Sequence, residues 1–314
     1  MIFAPLPAHA LHRSQSPLVT VGIPVFNGER WLADAIDSIL AQTLDDFILV
    51  LADNASTDGT RAICERYAMQ DSRVQYRRST SNIGLFRNYD RAFQLSSTKY
   101  FKWASCSDIC GERFLELCVD VLERRPDVVL AHTETALFEK DIGSAVAYEG
   151  GIDLQQERPS ERVMYLLSNL KLNNMINGVI RSDVLRQTAL NRVYTGSDIN
   201  LVAELALHGK FVEIPEMLFF RRMTTAASSV MVPESERKSY FADEPRDVLE
   251  LREWRLAAGF FSALCRAPLP FAERLQTAGY LTRQFARNRA KLWHELAIAT
   301  KSRISRLVLK CRRR

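Results

Sequence analysis

Three aspartates occupy positions from which a carboxylate could bind a ligand or move a proton. Asp108 follows the apolar and aromatic run Tyr100–Ala104, and Asp53 follows the apolar run Phe47–Leu51. Asp198 stands just before a segment with apolar residues at helical spacing. Carboxylates suit hard cations, the imide N–H of a base and the proton of a hydroxyl group. These residues therefore raise metal binding, nucleotide binding and general base catalysis as candidate chemistries.

Alternating strand and helix patterns must position these aspartates. Buried strands are predicted near residues 18–23, 47–51, 74–76, 100–104 and 128–131, with amphipathic helices between them. Pro24 is expected to stop the first strand. Repeated strand–helix units are typical of an α/β fold with a parallel sheet and helices on both faces. The polar loops after successive strands are expected to meet at one edge of that sheet.

Composition and absent motifs narrow the class of protein. The chain has 314 residues, 47% hydrophobic and 25% charged, with a formal net charge of +5, in the range of an ordinary globular protein. It has no GxGxxG after the first strand and no GxxxxGK[ST], which disfavours dinucleotide and P-loop binding. The six cysteines lack CxxC or zinc-ligand spacing, so free, mostly buried thiols in a reducing compartment are expected.

Membrane and targeting patterns are not found in the sequence. No apolar run reaches the roughly 18 residues that a membrane-spanning helix needs. The first residues are interrupted by prolines and histidines, so neither a signal peptide nor a membrane span is expected there. The cytosol is the expected location.

Several motifs in order resemble the start of a family 2 glycosyltransferase of GT-A fold. The motifs are VTVGIPVFNG at 19–28, DNASTDGT at 53–60 and NIG at 82–84. The resemblance covers roughly residues 18–230, and its ordered motifs are more specific than any one of them. It implies a Rossmann-like, mostly parallel sheet flanked by helices, a nucleotide-sugar donor, usually a divalent metal, and inversion at the anomeric carbon.

The resemblance also implies which residues hold the donor. Asp53 matches the aspartate that contacts the base, and uracil is the expected base. By residue type alone, Asp53 and Ser56 also suit turns and helix caps, and Arg87 suits either a diphosphate or a solvated helix face. The residues implied in nucleotide-sugar binding are Pro24, Phe26, Asn27, Glu29, Asp53, Asn54, Ser56, Asn82, Gly84, Arg87, Ser107, Asp108 and Arg222.

The metal motif departs from the family pattern. Members carry an acidic cluster, DxD or a histidine followed by two aspartates, that binds Mn²⁺ or Mg²⁺ across the diphosphate. The matching segment here is Cys106–Asp108, so Asp108 is the one carboxylate left for the metal. Many relatives place a histidine soon after the double arginine at 221–222, where this chain has Met223. These departures imply either weak metal dependence, with arginines covering the diphosphate, or reduced activity.

Asp198 matches the acid that the family carries just before such a helix as its catalytic base. In inverting transfer this base takes the proton of the acceptor hydroxyl as the hydroxyl attacks the anomeric carbon. A carboxylate at this place could instead only interact with the helix dipole. Around it, the pattern predicts an irregular stretch at 133–156 that forms either a hairpin or a mobile flap beside the acceptor, a helix at 162–172 and two edge strands at 211–214 and 218–220.

The chain is expected to divide into an N-terminal arm (1–16), a GT-A domain (17–230) and a helical, basic C-terminal extension (231–314). Within the extension, a linker is expected at 233–245. From residue 281 onward, Glu295 is the only acid among many lysines and arginines interleaved with apolar residues. Such a segment fits either peripheral contact of residues 281–314 with an anionic inner leaflet, or a helix packed on the domain with a solvated basic face.

The expected function is transfer of a sugar, with inversion, from a nucleoside diphosphate sugar to a hydroxyl of a glycan or lipid-linked saccharide in polysaccharide biosynthesis. A UDP-sugar is the expected donor, and no nucleic acid partner is expected. One alternative is a nucleotide-sugar-binding protein with reduced or lost catalysis, motivated by Ser107 and Met223. A nucleotidyltransferase shares the α/β plan, but its glycine-rich, lysine-bearing loop is missing here.

Overall fold

A computed structural model of the chain describes residues 17–225, 227 and 251–311, with side chains described up to residue 300. The expected N-terminal arm and the linker expected at 233–245 lie outside the described residues. The strands are β1 (Val19–Val25), β2 (Phe47–Asp53), β3 (Val74–Arg78), β4 (Tyr100–Trp103), β5 (Ile109–Cys110), β6 (Val128–Phe138), β7 (Val146–Ala147), β8 (Val179–Arg181) and β9 (Lys210–Arg222).

Helices alternate with the strands in the first half and dominate after β9. They are α1 (Leu32–Leu40), α2 (Thr60–Gln70), α3 (Leu85–Gln94), α4 (Phe114–Arg124), α5 (Pro159–Asn169), α6 (Ser182–Leu185), α7 (Ser197–His208), α8 (Arg252–Arg266), α9 (Phe271–Arg287) and α10 (Arg289–Cys311). In the described parts of the chain, no helix combines the length and the apolar character needed to cross a membrane.

The described strands form one sheet in the order β3-β2-β1-β4-β8-β6-β9-β5, with β7 paired to β6. The β3-β2-β1-β4 half is parallel, with Val25 opposite Asp53 and Val19 opposite Tyr100. The other half is mixed, because β8 runs antiparallel to both β4 and β6 whereas β9 runs parallel to β6. The predicted α/β architecture is confirmed.

Two apolar clusters cover the two faces of the sheet. One packs α1, α2 and α4 against the strands, and the other packs α3, α5, α7, α8 and α9. Successive side chains of β4 point to opposite faces of the sheet, so Phe101 and Trp103 belong to one cluster and Tyr100 belongs to the other. The helices α8 and α9 of the expected extension pack on α7 and α5 and share this core.

The expectation that Pro24 ends the first strand is wrong. β1 continues through Pro24 to Val25, opposite Ala52 and Asp53 of β2. The Gly22 carbonyl accepts a hydrogen bond from Ala104, next to β4, and the Val25 carbonyl accepts one from Asn54, next to β2. Successive residues of a strand form hydrogen bonds on alternate sides, so the backbone of Pro24 faces β4, as that of Gly22 does. Pairing with β4 ends at Gly22, and the missing N–H of proline therefore leaves no ladder partner unsatisfied.

The expectations for the second half were only partly right. Residues 210–222 form one long strand between β6 and β5 in place of two edge strands, and a register shift near Pro215 absorbs the break that the proline suggested. The stretch expected to be a hairpin or a flap begins with the end of β6, residues 133–138, which pairs antiparallel with β7 as a hairpin would. The helix predicted at 162–172 is Pro159–Asn169, which leaves Asn173 and Asn174 in the following loop.

Candidate functional site

The turn after β1 is clasped to the loop after β2. Asn27 has a left-handed backbone (φ 52°), and its N–H donates to Ser56 Oγ at 3.0 Å. Its side-chain oxygen accepts the N–H of Thr57 at 2.8 Å, and the Glu29 carboxylate accepts the N–H of Gly59 at 2.9 Å. These bonds are local reasons for the polar residues in both motifs, and they fix two adjacent loops at the carboxyl edge of the sheet.

Asp53 ends β2 with a fully buried carboxylate. The carboxylate accepts the Ser56 N–H at 2.8 Å and the Tyr76 hydroxyl at 2.7 Å, and it pairs with Arg78 Nη1 at 2.6 Å. Burial raises the pKa of Asp53, but the hydrogen bonds from Ser56, Tyr76 and Arg78 together hold it below its usual value. Asp53 therefore stabilises the turn after β2, and its lowered pKa favours the ionised carboxylate.

The loop before α3 is tied to the loop after β2. The Asn54 side chain is buried, donates to Asn82 Oδ1 at 2.7 Å and accepts the Ile83 N–H at 2.9 Å. Gly84, with φ 89°, then precedes the first turn of α3. Arg87 lies in that turn with its side chain exposed to solvent. Phe26, on the neighbouring turn, is 38% exposed, so an aromatic face is available at this edge.

Asp108 lies half-buried among positive charges. Its Oδ1 accepts the backbone N–H of Arg222 at 2.9 Å. The Arg222 guanidinium is buried and donates to the carbonyl oxygens of Ser107, Glu139 and Lys140 at 3.0–3.3 Å. Burial raises the pKa of Asp108, against the opposing effect of the Arg222 N–H and of nearby cationic side chains. Arg222 thus shapes the loop around Asp108 rather than presenting its guanidinium outward.

One of those cations, Lys102, is fully buried on β4. Its ammonium group donates to the Asn177 carbonyl and lies 4.2 Å from the ring centroid of Phe114 and 5.5 Å from that of Phe219. Cation–π contacts and one carbonyl are modest compensation for burying an ammonium group. Lys102 is therefore a buried amine whose charge acts on the nearby Asp108 carboxyl and lowers its pKa, against the larger raising effect of burial.

The residues around Asp108 do not build a resident metal site. Ser107 Oγ shares a hydrogen bond with Ser105 Oγ at 2.9 Å. Burial, and then the charge of Asp108, raise the pKa of the Cys106 thiol to about 12, so this sulfur is neutral. Across the described residues, no three histidine, cysteine, aspartate or glutamate side chains come together as metal ligands. One carboxylate is a poor donor set for Mn²⁺ or Mg²⁺.

Asp198 lies in the first turn of α7, one step further in than expected. Its Oδ2 accepts a hydrogen bond from Asn173 Nδ2 at 2.8 Å. The adjacent Asn174 accepts one from Arg221 Nη1 at 2.7 Å, and Arg222 follows with its N–H on Asp108. Two pairs of consecutive residues therefore connect Asp198 to Asp108.

This loop and the residues at the start of α7 leave buried polar atoms without a partner among the described residues. These atoms are Asn173 Oδ1, Asn174 Nδ2, Thr195 Oγ1 and Ser197 Oγ. Buried polar atoms in native proteins are nearly always hydrogen-bonded, and ordered water or a ligand supplies the partner where protein does not. Four of the eight such atoms among the described residues lie in the two segments next to Asp198, where ordered water or a ligand would supply the partner.

The structure brings the predicted residues to one edge of the sheet. The turn at Gly28 bridges the two sides, because it bonds to Thr60 and a Cβ placed there would lie 3.4 Å from Cys106 Sγ. Sequence reasoning missed Asn173, Asn174 and Lys102 as members of this group. A lysine inside an aromatic strand was a visible signal, whereas the two asparagines carry none without the tertiary contacts.

Comparison with known proteins gives one family and one fold. Residues 20–144 match the family model described as glycosyl transferase family 2. Glycosyltransferase GlyG of Streptococcus pneumoniae serotype 4 is 29% identical over 139 residues, which is 44% of this chain and 46% of that protein. The chain thus spans about half the length of this curated relative.

Two solved structures share the fold at low identity. S. aureus TarS, residues 1–349 in complex with UDP-GlcNAc, has a TM-score of 0.57 at 14% identity, over 86% of this chain and 73% of that one. The mannosyltransferase PcManGT from Pyrobaculum calidifontis, in complex with GDP-Man and Mn²⁺, has a TM-score of 0.53 at 17% identity, over 92% and 76%. Both likenesses confirm the predicted GT-A architecture.

Proposed function

Since residues 20–144 match the family model of glycosyl transferase family 2, we propose that the chain transfers a sugar from a nucleoside diphosphate sugar to an acceptor hydroxyl with inversion. The connection of Asp198 to Asp108 through Asn173–Asn174 and Arg221–Arg222 carries this proposal. This connection joins the proposed base, Asp198, to the Asp108 loop. The family resemblance implies that this loop contacts the donor diphosphate.

The proposed chemistry uses Asp198 as the general base. Its carboxylate takes the proton of the acceptor hydroxyl while that oxygen forms a bond to the anomeric carbon. The bond from the anomeric carbon to the diphosphate breaks, and the nucleoside diphosphate leaves with the electron pair. Lys102 and Arg221 add positive charge beside the Asp108 loop, and both lower the pKa of its carboxyl, against the larger raising effect of burial.

We propose a UDP-sugar as donor, with Asp53 and the turn at Phe26–Glu29 at the nucleoside. The UDP-GlcNAc complex of TarS supports a uracil nucleotide as donor, whereas the GDP-Man complex of PcManGT supports testing guanine nucleotides as well. Mn²⁺ or Mg²⁺, where it takes part, would enter with the diphosphate and use Asp108 as its protein ligand. Because the donor set is poor, we propose weak metal dependence.

The acceptor that we propose is a glycan or lipid-linked saccharide in polysaccharide biosynthesis at the cytoplasmic face of a membrane. The five described cysteines are all free thiols, which supports a reducing compartment. Residues 281–314 are the proposed segment of peripheral membrane contact.

Calorimetric binding of UDP, UDP-sugars and GDP-sugars, with Mn²⁺ and again with EDTA, tests donor binding. We expect a UDP-sugar to bind with only a small loss in EDTA. Asp108→Ala should weaken binding in Mn²⁺ only as much as EDTA does, whereas Asp120→Ala, on the surface helix α4 and paired with Arg124, should not weaken it. Failure to bind UDP, GDP and dTDP compounds alike would overturn the donor proposal.

A binding protein without catalysis is the second candidate. It is favoured by Ser107 in place of the family carboxylate and by Met223 in place of histidine. Donor binding without release of nucleotide from any donor, over a panel of saccharide acceptors, would favour this alternative.

A further inference from the structure

A cavity of about 370 Å³ lies where α9 ends and α10 begins. It opens to solvent and is lined by Arg283, Ala286, Arg287 and Arg289. Arg283 and Arg287 are one helical turn apart on α9, and Arg289 is the first residue of α10. None of the candidate donor or catalytic residues lines it. We call these four residues the arginine elbow.

The charge of the arginine elbow is not balanced by acids in its lining. The polar contacts of its guanidinium groups go to neutral atoms, since Arg287 Nη2 donates to Gln284 Oε1 at 2.6 Å and Arg289 Nη1 to the Ala286 carbonyl at 3.5 Å. Three guanidinium groups around one cavity repel each other, and a bound anion relieves this repulsion. The arrangement therefore favours an anionic ligand.

The acid nearest in sequence is engaged elsewhere. Glu295 is the only acid of α10, and both of its carboxylate oxygens accept the backbone N–H of Glu253, at 3.1 and 3.0 Å. Glu253 lies in the first turn of α8, so Glu295 serves the positive end of that helix. The elbow and the start of α10 keep their positive charge.

Exposed aromatic and aliphatic side chains lie on α10 close to the elbow in sequence. Trp293 follows Arg289 by four residues, so it lies on the same side of α10, and it is 67% exposed. Ile298 is 56% exposed further along the helix. Arginine next to exposed tryptophan suits a lipid headgroup region, where the cation meets phosphate and the indole ring lies among the headgroups.

We propose that the arginine elbow binds the phosphate groups of anionic lipids at a membrane surface, with Trp293 entering the headgroup layer. This inference rests on the proposed membrane contact and is independent of the transfer reaction.

Sedimentation of the full chain with lipid vesicles tests the proposal. We expect binding to vesicles of phosphatidylcholine mixed with phosphatidylglycerol, little binding to phosphatidylcholine alone, and weakening by salt. A variant with Arg283→Gln, Arg287→Gln and Arg289→Gln should bind the anionic vesicles at least about tenfold more weakly. A control with the same loss of charge, Arg61→Gln, Arg66→Gln and Arg124→Gln, should bind like the wild type.

Two further measurements keep the outcomes distinct. Circular dichroism verifies folding, and if the triple variant is unfolded, Arg287→Gln alone should show a smaller loss. Calorimetric UDP binding should be unchanged in the triple variant. Vesicle binding and donor binding are therefore tested separately, and failure of the donor proposal does not affect the conclusion from the vesicles. Equal vesicle binding by triple variant and wild type, equal binding to neutral and anionic vesicles, or binding of inorganic phosphate without vesicle binding would each overturn the proposal.

Discussion

At the residue scale, the contact between Asp198 and Asn173 is central to the proposed acceptor activation. The 2.8 Å hydrogen bond uses one carboxylate oxygen and leaves the other for a hydroxyl group. A carboxylate held by one amide donor keeps a defined direction while it remains a base. Helix-dipole interaction and general base catalysis are compatible here, because Asp198 lies in the first turn of α7.

Asp198→Asn should lower turnover about 10²- to 10⁴-fold, because an amide cannot accept the hydroxyl proton. The amide keeps an oxygen for Asn173, so UDP binding should be unchanged. Initial rates of nucleotide release and calorimetry check the two expectations. The control Asp45→Asn removes a carboxylate whose side chain is 89% exposed and should keep full turnover. Full turnover in Asp198→Asn itself would exclude it as the base.

Asn173→Ala should lower kcat roughly tenfold and leave the donor Kd unchanged, because it frees the carboxylate to leave its productive direction. Steady-state kinetics with both substrates varied, together with UDP calorimetry, separates the two effects. Asn169→Ala is the matched control, since its exposed amide bonds only the Tyr165 carbonyl. A loss of donor affinity equal to the loss of kcat would point to a purely structural role.

At the element scale, short turns place the ends of helices against the site. Gly196 precedes α7 with a left-handed backbone, φ 90° and ψ 9°. A Cβ there would lie 3.2 Å from the flexible end of Arg252 and at an ordinary contact distance, 3.5 Å, from Leu256 Cδ2. Space is therefore available, and the backbone conformation is what requires glycine.

Gly196→Ala should lower the free energy of unfolding by about 1 kcal/mol, because a side chain disfavours the left-handed conformation. The control Gly279→Ala should raise it by up to about 1 kcal/mol, since Gly279 lies inside α9 with one distant neighbour, Arg283, and alanine favours helix. Thermal unfolding of both variants measures the opposite signs. A stabilised Gly196→Ala variant would contradict the assigned backbone geometry.

At the scale of the whole molecule, the long pair β6 and β9 carries a titratable cluster in which His132 is buried, Glu213 is half-buried and two further acids are exposed. Burial, followed by the charges of Glu134 and Asp153, raises the pKa of Glu213 from 4.5 to about 7. The neighbouring His132 ring nitrogen lies 3.9 Å from the Glu213 carboxylate, and burial lowers the pKa of that histidine. Near pH 7 the Glu213 carboxyl is therefore in the middle of its titration, beside a histidine whose lowered pKa favours the neutral ring.

Glu213 should make the protein less stable as the pH rises from 5 to 8. Its folded pKa lies above its unfolded value, so its stabilising contribution is complete below pH 4.5 and is lost as the pH rises through about 7. The loss is at most about 3 kcal/mol. Urea unfolding should show a shallower pH dependence for Glu213→Gln, and no change for Glu216→Gln, whose side chain is 42% exposed. Equal slopes in wild type and Glu213→Gln would contradict the assignment.

The sequence by itself determined the alternating elements of the first half and the motifs that match the family model over residues 20–144. Local patterns suffice there, because a parallel strand buried on both faces is a continuous apolar run and its loop is polar. Asp53, Asp108 and Asp198 could be singled out for the same reason, since each adjoins a strand or helix recognisable from nearby residues.

Only the tertiary structure decided how those residues are used. Pairing partners distant in sequence merged two expected strands into β9 and let β1 pass through Pro24. Contacts across the fold joined Asn173 to Asp198, turned Arg222 onto backbone carbonyls and buried Lys102 below Asp108. Such contacts depend on the three-dimensional meeting of segments up to 115 residues apart in sequence, and no local pattern encodes that meeting.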